Sequence, residues 1–188
     1  DMLYKDLLIS VTNFFRDPEA FKALEEQVIP HLFEGKERDD QLRVWVPGCA
    51  TGEEAYSIAM LLQEYAANQK GKTPDIQIFA SDVDKNALKK ARAGRYPKSI
   101  ERDLKEERLY RFFDKDGEEY VVKPHIRNMI LFAAHDMLRN PPFSKLDLIT
   151  CRNLLIYLNR DLQSEVFNLF HYALRPGGWL FLGKSDSR

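Results

Sequence analysis

The chain has 188 residues, and its 28 Lys and Arg against 29 Asp and Glu give a formal net charge of −1. One domain is the default at this length, and the near-zero charge excludes a bulk field that would attract nucleic acid or an anionic membrane. The chain lacks an apolar run of about 18 residues, and two cysteines are too few for a disulfide framework or a cysteine-based zinc site. We therefore expect a cytoplasmic protein that binds no nucleic acid, inserts into no membrane and holds no metal.

A Leu-rich segment at residues 3–9 is predicted to end one helix. The next helix is predicted to start near Pro18, because Asp17 is a favoured N-cap residue and Pro is favoured in the first turn. Its apolar face begins at Phe21, and Pro30 predicts its end. The preceding Thr-Asn-Phe-Phe-Arg segment, residues 12–16, is then a loop that carries two large aromatic side chains and one cation.

A strand, a turn and a helix follow one another in the first third of the chain. Val-Trp-Val at residues 44–46 reads as a buried strand that stops at a Pro-Gly pair, and helical periodicity begins at Ala55. The turn between them, residues 48–52, has only small side chains, so a ligand could approach the backbone and the free N–H groups of the helix. Glu53 and Glu54 oppose a phosphate but suit a cation or a pair of hydroxyls.

Two known nucleotide motifs do not fit this turn. A P-loop needs Lys and then Ser or Thr after its second glycine, and a dinucleotide fingerprint needs three glycines. The turn therefore predicts a nucleoside site that holds no pyrophosphate. The alternative is an ordinary strand-to-helix turn whose acids complement the helix dipole.

Residues 76–80 alternate as a second strand, which ends at Asp82, and Asp84 is placed to cap the next helix. Asp82 lies where an acid could hold the two hydroxyls of a ribose. The distance along the chain from Gly48 to Asp82 is longer than the roughly 20 residues usual in NAD sites.

The middle of the chain is the least regular part. Residues 120–122 predict a short strand after a turn signal. A local basic cluster predicts either a solvated face or a surface for an acidic protein, and it comprises Lys89, Lys90, Arg92, Arg95 and Lys98.

Three further strands are predicted at residues 126–134, 146–150 and 179–182, with an amphipathic helix before the last. Strands that alternate with helices predict an α/β sheet covered on both faces, with ligands at the carboxyl ends of the strands. Several polar residues fall just after predicted strands, which favours one shared site: Glu54, Asp82, Asp136, Arg152 and Asn153.

Five motifs follow one another along the chain: Thr12-x-Phe-Phe-Arg16, Gly48-Cys-Ala-Thr-Gly-Glu-Glu54, Phe79-Ala-Ser-Asp-Val-Asp84, Cys151-Arg-Asn153 with Tyr157, and Leu174-Arg-Pro-Gly-Gly178. All five occur in this order in the CheR family, which the chain resembles over nearly its whole length. CheR proteins use S-adenosylmethionine (SAM) to methylate glutamates of chemotaxis receptors. The form of the second motif resembles CheR modules fused to methylesterase and PAS domains.

The resemblance implies a Rossmann-like class I SAM-dependent methyltransferase with a mostly parallel, doubly wound sheet. Residues 1–30 would be an N-terminal linker and helix remnant that closes over the cofactor, and residues 31–188 the methyltransferase domain. A small β-subdomain would be inserted at about residues 94–127. Little of the family's N-terminal helical domain is present, so the chain resembles a fragment of something longer.

The resemblance also implies roles for individual residues. Gly48 and Glu54 would contact the methionine part of SAM, Asp82 the ribose, and Asp136 and Met137 the adenine. Ser10, Thr12 and Arg16 would close the site from the N-terminal side. The floor of the site, beside the reactive methyl group, would be formed by Cys151, Arg152 and Asn153. Tyr157 would face the substrate carboxylate and, with Arg16, form the catalytic pair. Ser10 departs from the family, since some relatives have Asn there.

The implied chemistry fits the residue types. A carboxylate is ionised and nucleophilic at neutral pH, so no general base is required. The four histidines, His31, His125, His135 and His171, are interpreted as structural. The implied partner is the cytoplasmic domain of a chemoreceptor, and the protein is expected to be a monomer. The insert has one glycine, Gly117, after Gly94, so we expect no tight capture of a receptor pentapeptide.

Other functions remain open from the sequence. The chain could methylate another protein or a small carboxylate with SAM, or bind SAM without turnover as a signalling module. An NAD-binding domain is a more distant alternative.

Overall fold

The computed structural model describes residues 12–71, 73–152 and 154–183, and a five-stranded sheet organises them. Its helices are α1 Pro18–Ala23, a π-helical segment Leu24–Val28, α2 Ile29–Phe33, α3 Glu53–Asn68, α4 Lys85–Ala93, a 3-10 turn Lys98–Arg102, α5 Glu106–Phe112, α6 Pro124–Arg127, a 3-10 turn Leu155–Tyr157 and α7 Arg160–Ala173. Its strands are β1 Gln41–Pro47, β2 Asp75–Asp82, β3 Arg95–Pro97, β4 Phe113–Asp116, β5 Glu119–Val122, β6 Ile130–Ala134, β7 Leu146–Cys151 and β8 Leu174–Leu182.

The large sheet is parallel throughout, with the strand order β6-β2-β1-β7-β8. The chain moves outward from β1 through β2 to β6 and then crosses back to β7 and β8. The carboxyl ends of β1 and β7 therefore form the switch point, where such sheets bind their ligands. This order confirms the predicted Rossmann-like α/β fold.

Both faces of the sheet are covered, as parallel sheets require. Every residue of β7 is buried; Leu148 enters the larger of two cores, whereas Leu146, Ile149 and Cys151 enter the smaller one. The larger core lies under α1–α4, and the smaller core lies under α7 and includes Trp45 and Ile149. Residues 55–62 of α3 are all buried, because the sheet, the N-terminal helices and the central part of the chain surround this helix.

The connection between β6 and β7 departs from the alternation of strands and helices. Residues 135–145 form no helix. Phe143 from this connection stacks on Phe79 at 4.7 Å and meets Trp45 edge-to-face at 5.4 Å. A packed loop with adjacent prolines thus covers this part of the sheet, where a helix would be broken by them.

Two element boundaries also differ from the prediction. The helix that begins at Pro18 does not end at Pro30, because a π-helical segment precedes it and Pro30 enters the first turn of a new helical segment. Residues 124–127 form a helix instead of the start of a strand, since Pro124 is accommodated in its first turn. The Leu-rich segment at residues 3–9, predicted to end a helix, lies outside the described residues.

A second, three-stranded antiparallel sheet has the order β3-β5-β4, and its β5 confirms the strand predicted at residues 120–122. Two members of the basic cluster have partners within the chain. Arg92 donates to the carbonyl of Phe132 on the outer strand β6, and Arg95 pairs with Asp116 and Glu119. Among the described residues, no helix combines the length and apolar character needed to span a bilayer.

Candidate functional site

The loop after β1 turns sharply and is held by backbone hydrogen bonds. The N–H of Cys49 donates to the carbonyl of Ser81 at 2.9 Å, and the N–H of Gly52 donates to the carbonyl of Cys49 at 2.9 Å. Gly48, Ala50 and Gly52 all have positive φ, and Ala50 does so with a side chain. An L-residue in this conformation costs about 1–2 kcal/mol, so the loop is locally strained, as functional loops often are.

Asp82 connects the end of β2 to this loop. Its carboxylate accepts from the N–H of Ala50 at 2.8 Å and from the N–H of Asp84 at 2.9 Å. Asp84 caps α4 by accepting from the N–H groups of Asn86 and Ala87, as the sequence predicted. An ionised carboxylate can accept about four hydrogen bonds, so Asp82 retains capacity for a pair of hydroxyls.

Glu54 and Arg152 meet at the carboxyl ends of β1 and β7. The Nη1 atom of Arg152 lies 3.3 Å from Oε1 of Glu54, and the hydroxyl of Thr150 lies 3.4 Å from Oε2. Burial raises the pKa of Glu54, while the charges of Arg152 and Arg16 and the Thr150 hydrogen bond lower it. The structure thus brings Glu54 and Arg152 into contact, two of the residues that follow predicted strands, and the charge of Arg16 acts on the same carboxylate.

Arg152 is 6% exposed and is held by residues that were not predicted to belong to the site. Its guanidinium lies over the rings of Phe21 and Phe181, at 4.9 and 4.8 Å from their centroids. Its Nη2 atom is 3.9 Å from a carboxylate oxygen of Asp17, which precedes α1 but makes no side-chain cap. Its Nε atom is buried and has no hydrogen-bond partner among the described residues.

Residues 12–17, here named the N-terminal strap, lie against the start of α3. The hydroxyl of Thr12 donates to Glu53 at 3.1 Å, and the hydroxyl of Thr51 donates to the other oxygen of Glu53 at 2.5 Å. The N–H of Phe15 donates to the hydroxyl of Ser57 at 3.0 Å. Burial raises the pKa of Glu53, although both threonine hydrogen bonds lower it.

The predicted adenine side is less enclosed. Asp136 accepts from the N–H of Leu138 at 2.9 Å, whereas the side chain of Met137 belongs to the smaller core. Val83 and Leu138 are 68% and 47% exposed, and their apolar surfaces lie beside Asp82 and Asp136 in sequence. In the sequence, the signal for such residues is an apolar side chain one or two positions after a predicted ligand acid, as Val83 after Asp82 and Leu138 after Asp136.

The remaining predicted residues are placed as follows. Cys151 is buried at the end of β7, and Tyr157 closes the 3-10 turn that follows. Ser10 and Asn153 lie outside the described residues. The thiol of Cys49 is buried, and this burial together with the charge of Asp82 raises its pKa well above the usual range.

A family model and named relatives identify the same protein family for this chain. Residues 10–187 match the family described as CheR methyltransferase, SAM binding domain. The chain is 34% identical over 191 residues to Chemotaxis protein methyltransferase 1 of Pseudomonas aeruginosa, covering 100% of this chain and 69% of the relative. It is 36% identical over 180 residues to a Chemotaxis protein methyltransferase of Listeria monocytogenes, covering 96% and 66%.

A third relative is longer. The chain is 45% identical over 185 residues to an uncharacterized 104.1 kDa protein of Rhodobacter capsulatus. The aligned region covers 98% of this chain but only 19% of that protein.

Solved structures support the fold. A complex of DhpI with SAH superposes with a TM-score of 0.53 at 14% identity, covering 88% of this chain and 54% of that chain. A putative O-methyltransferase from Nostoc punctiforme gives 0.52 at 12% identity, covering 88% and 36%. The chain therefore belongs to the CheR family of SAM-binding methyltransferase domains, and S-adenosylmethionine is its cofactor.

Proposed function

We propose that this chain transfers the methyl group of SAM to glutamate side-chain carboxylates in the cytoplasmic domains of chemoreceptors. The observation that carries the proposal is the gathering of Asp82, Glu54 and Arg152 at the carboxyl ends of adjacent strands, with Arg16 acting on the same carboxylate. The names of the Pseudomonas and Listeria relatives support the chemotaxis substrate.

The residues present fit the cofactor. Asp82 is placed to accept from the ribose hydroxyls, and the backbone of residues 48–52 can lie against the methionine part. A Cβ at Gly52 would stand 3.0 Å from Ala91 and 3.1 Å from the hydroxyl of Tyr96, so this loop keeps its shape only with glycine there. Glu54 can attract the ammonium group, and the Nε atom of Arg152, which has no partner in the part of the chain that the structure describes, can donate to an oxygen.

The other predicted contacts complete the proposed site. Thr12 and Arg16 of the strap would close it, with Ser10 before them in the chain. Met137 and Asp136 would flank the adenine. Cys151 and Asn153 would form its floor with Arg152.

When bound, SAM supplies an electrophilic methyl group on a sulfonium. The chain's task is then to bring an ionised glutamate in line with this methyl group and to exclude water. Correct positioning can contribute about 7–11 kcal/mol in favourable cases. Because a glutamate is ionised at neutral pH, no residue of the chain has to remove a proton.

Arg16 and Tyr157 are assigned to hold the substrate carboxylate. A guanidinium and a phenol can both donate to a carboxylate, but a tight pairing would also reduce its nucleophilicity. We therefore assign both residues a positioning role and no proton transfer. Replacing Tyr157 with Phe is expected to lower turnover far more than SAH affinity, and equal losses would contradict the assignment.

The histidines of the chain are left out of the mechanism. His31 stacks on Trp179 at 5.8 Å, and His125 lies 6.1 Å from Phe112. His135 bonds to the carbonyl of Pro141 at 2.8 Å and packs on Trp45. These contacts support structural roles for the three.

The decisive experiment is methyl transfer from radiolabelled SAM to a purified chemoreceptor cytoplasmic fragment. Base-labile label on the fragment is expected, because glutamate methyl esters hydrolyse in base. A fragment with its acceptor glutamates replaced by alanine is the control and should take up no label. Base-stable label, or label only on other proteins or small carboxylates, would redirect the proposal to those substrates, and SAH binding without transfer would favour a signalling module.

Five organisational assignments accompany this proposal. Residues 1–30 serve as the closing segment, residues 31–188 as the methyltransferase domain, and about 94–127 as its insert. The chain is assigned to the cytoplasm and to a monomeric state. Size-exclusion chromatography with light scattering should give a mass near 21.9 kDa, and a stable dimer would contradict the last assignment.

A further inference from the structure

Tyr96, on the first strand of the small sheet, reaches the loop of the candidate cofactor site. Its hydroxyl donates to the carbonyl of Thr51 at 2.6 Å, and the residue is 6% exposed. Burial and the nearby charge of Glu53 raise the pKa of this phenol well above its usual range, so it remains a donor throughout the neutral range.

This contact completes the restraint of one peptide unit. The carbonyl of Thr51 and the N–H of Gly52 belong to the same planar peptide group. The N–H end is held by the carbonyl of Cys49 at 2.9 Å, and the carbonyl end is held by Tyr96. With both ends bonded, the peptide plane cannot rotate, and the backbone of the loop is fixed in one orientation.

The ring of Tyr96 also supports the N-terminal strap. Phe14 is 2% exposed and meets Tyr96 edge-to-face with centroids 4.9 Å apart, while Phe113 of the same sheet lies 5.7 Å from Phe14. The small sheet therefore contacts both parts of the chain that bracket the site, the loop and the strap.

We propose that Tyr96 is a positioning residue for SAM: its hydroxyl orients the Thr51–Gly52 peptide and its ring seats Phe14, so that the small sheet forms part of the cofactor site. The inference rests on the proposed cofactor contacts of the loop. It assigns the small sheet a task in cofactor binding that is separate from any contact with a substrate protein.

The test compares Tyr96→Phe with Tyr120→Phe. Tyr120 is the register partner of Tyr96 in the same sheet, but its hydroxyl donates to Glu101 at 2.7 Å, away from the loop. Each variant loses one tyrosine hydrogen bond and keeps its ring. SAH affinity is measured by calorimetry, and KM for SAM, KM for the receptor fragment and kcat are measured in the transfer assay.

Tyr96→Phe is expected to weaken SAH binding about fivefold and to raise KM for SAM by a similar factor, the size expected for one lost hydrogen bond. KM for the receptor fragment should stay within about twofold, and Tyr120→Phe should leave SAH affinity unchanged. Equal SAH affinities in the two variants would overturn the proposal, whatever their thermal stabilities.

A second variant tests the strap contact. Phe14→Leu keeps an apolar side chain but removes the edge-to-face ring, and it should also weaken SAH binding, whereas unchanged affinity would overturn the ring's role. SAH binding does not depend on the receptor, so a failure of methyl transfer would contradict the proposed function alone. A chain that binds no SAH would contradict both.

Discussion

The two ends of β7 lie beside two carboxylate clusters that differ in how completely their bonding is satisfied. At the amino end, Asp147 is 3% exposed and fully surrounded by donors. Its Oδ1 atom lies 3.1 Å from Nζ of Lys36 and 2.8 Å from Nε of Arg175, and its Oδ2 atom accepts from the N–H of Arg43 at 2.9 Å. The buried carboxylate of Asp147 is therefore bonded to two cationic side chains and one backbone N–H group.

At the carboxyl end the partners are looser. Glu54 and Arg152 are 3.3 Å apart, Arg152 and Asp17 are 3.9 Å apart, and the pKa values of Glu53 and Glu54 are raised by burial. Phe15, Asp17 and Ala50 also adopt positive φ around this end. Unsatisfied donors, perturbed acids and backbone strain together are typical of a site that completes its bonding with a ligand.

The comparison separates stability from binding along a single strand. The amino end has little left to offer a ligand, because its bonding is complete within the protein. The carboxyl end gives up some stability and keeps bonding capacity for the cofactor. Mutations at the two ends should therefore affect different measurements.

The largest effect on stability is expected at the amino end, from Asp147→Asn. Losing the charge leaves the buried ammonium of Lys36 without its counter-ion, which should lower the free energy of unfolding by about 3 kcal/mol. Urea unfolding followed by circular dichroism measures this loss. The SAH affinity of the folded variant should be unchanged. A weaker affinity without loss of stability would contradict the assignment of the amino end of β7 to stability.

Two glycines with positive φ, Gly52 in the loop of the candidate site and Gly177 away from it, test the same comparison of the two ends of β7. At Gly52 an added Cβ meets Ala91 at 3.0 Å and Tyr96 at 3.1 Å with φ +98°, whereas at Gly177, with φ +83°, it meets no atom of the described residues within 4 Å. Gly52→Ala should cost about 2–3 kcal/mol from strain and overpacking and weaken SAH binding. Gly177→Ala should cost about 1 kcal/mol and leave binding intact. If urea unfolding gave similar losses of free energy for the two variants, the loop would be able to relax around the added Cβ, and the expected difference would be contradicted.

Arg152→Met tests the carboxyl end directly. Met keeps the apolar contacts with Phe21 and Phe181 but removes the charge, so SAH affinity should fall about tenfold, as for loss of one charged hydrogen bond. Glu54 can respond by taking up a proton, because loss of Arg152 raises its pKa further. Arg175→Met at the amino end is the matched control and should not change calorimetric SAH affinity; an equal loss in both would contradict a local role.

The smallest expected effect is a pH dependence of SAH affinity. Because the pKa of Glu54 is raised, part of the protein carries a neutral acid there at pH values where an ordinary glutamate is ionised. A neutral acid attracts the ammonium of SAH less, so affinity should fall as pH is lowered through this raised pKa and recover as pH rises. Calorimetry at several pH values should show this slope in the parent chain.

Glu54→Gln is the control for that dependence. It removes the titrating group, so its affinity should be lower at neutral pH and should vary less with pH. A parent profile that is flat, or one that rises as pH falls, would contradict the assignment of Glu54 to the ammonium.

Much of the site could be predicted because its residues follow strands. The carboxyl ends of parallel strands share one edge, so Glu54, Asp82 and Arg152 were expected together although they are far apart in the chain. What the sequence could not supply was the set of neighbours that hold them. Phe14, Phe21 and Tyr96 have the pattern of ordinary core residues, and only packing shows which polar group each one touches.

The sequence by itself determined the five strands of the large sheet, the small-residue loop and the family, because periodicity, turn residues and motifs are local properties of the chain. The tertiary structure decided which acid is paired, which donor finds no partner within the described ranges and which element supports the loop. It also decided that Pro30 lies inside a helical run and that Phe143 covers the sheet without a crossover helix. These outcomes depend on contacts between segments distant in the chain, where packing and burial outweigh local preference.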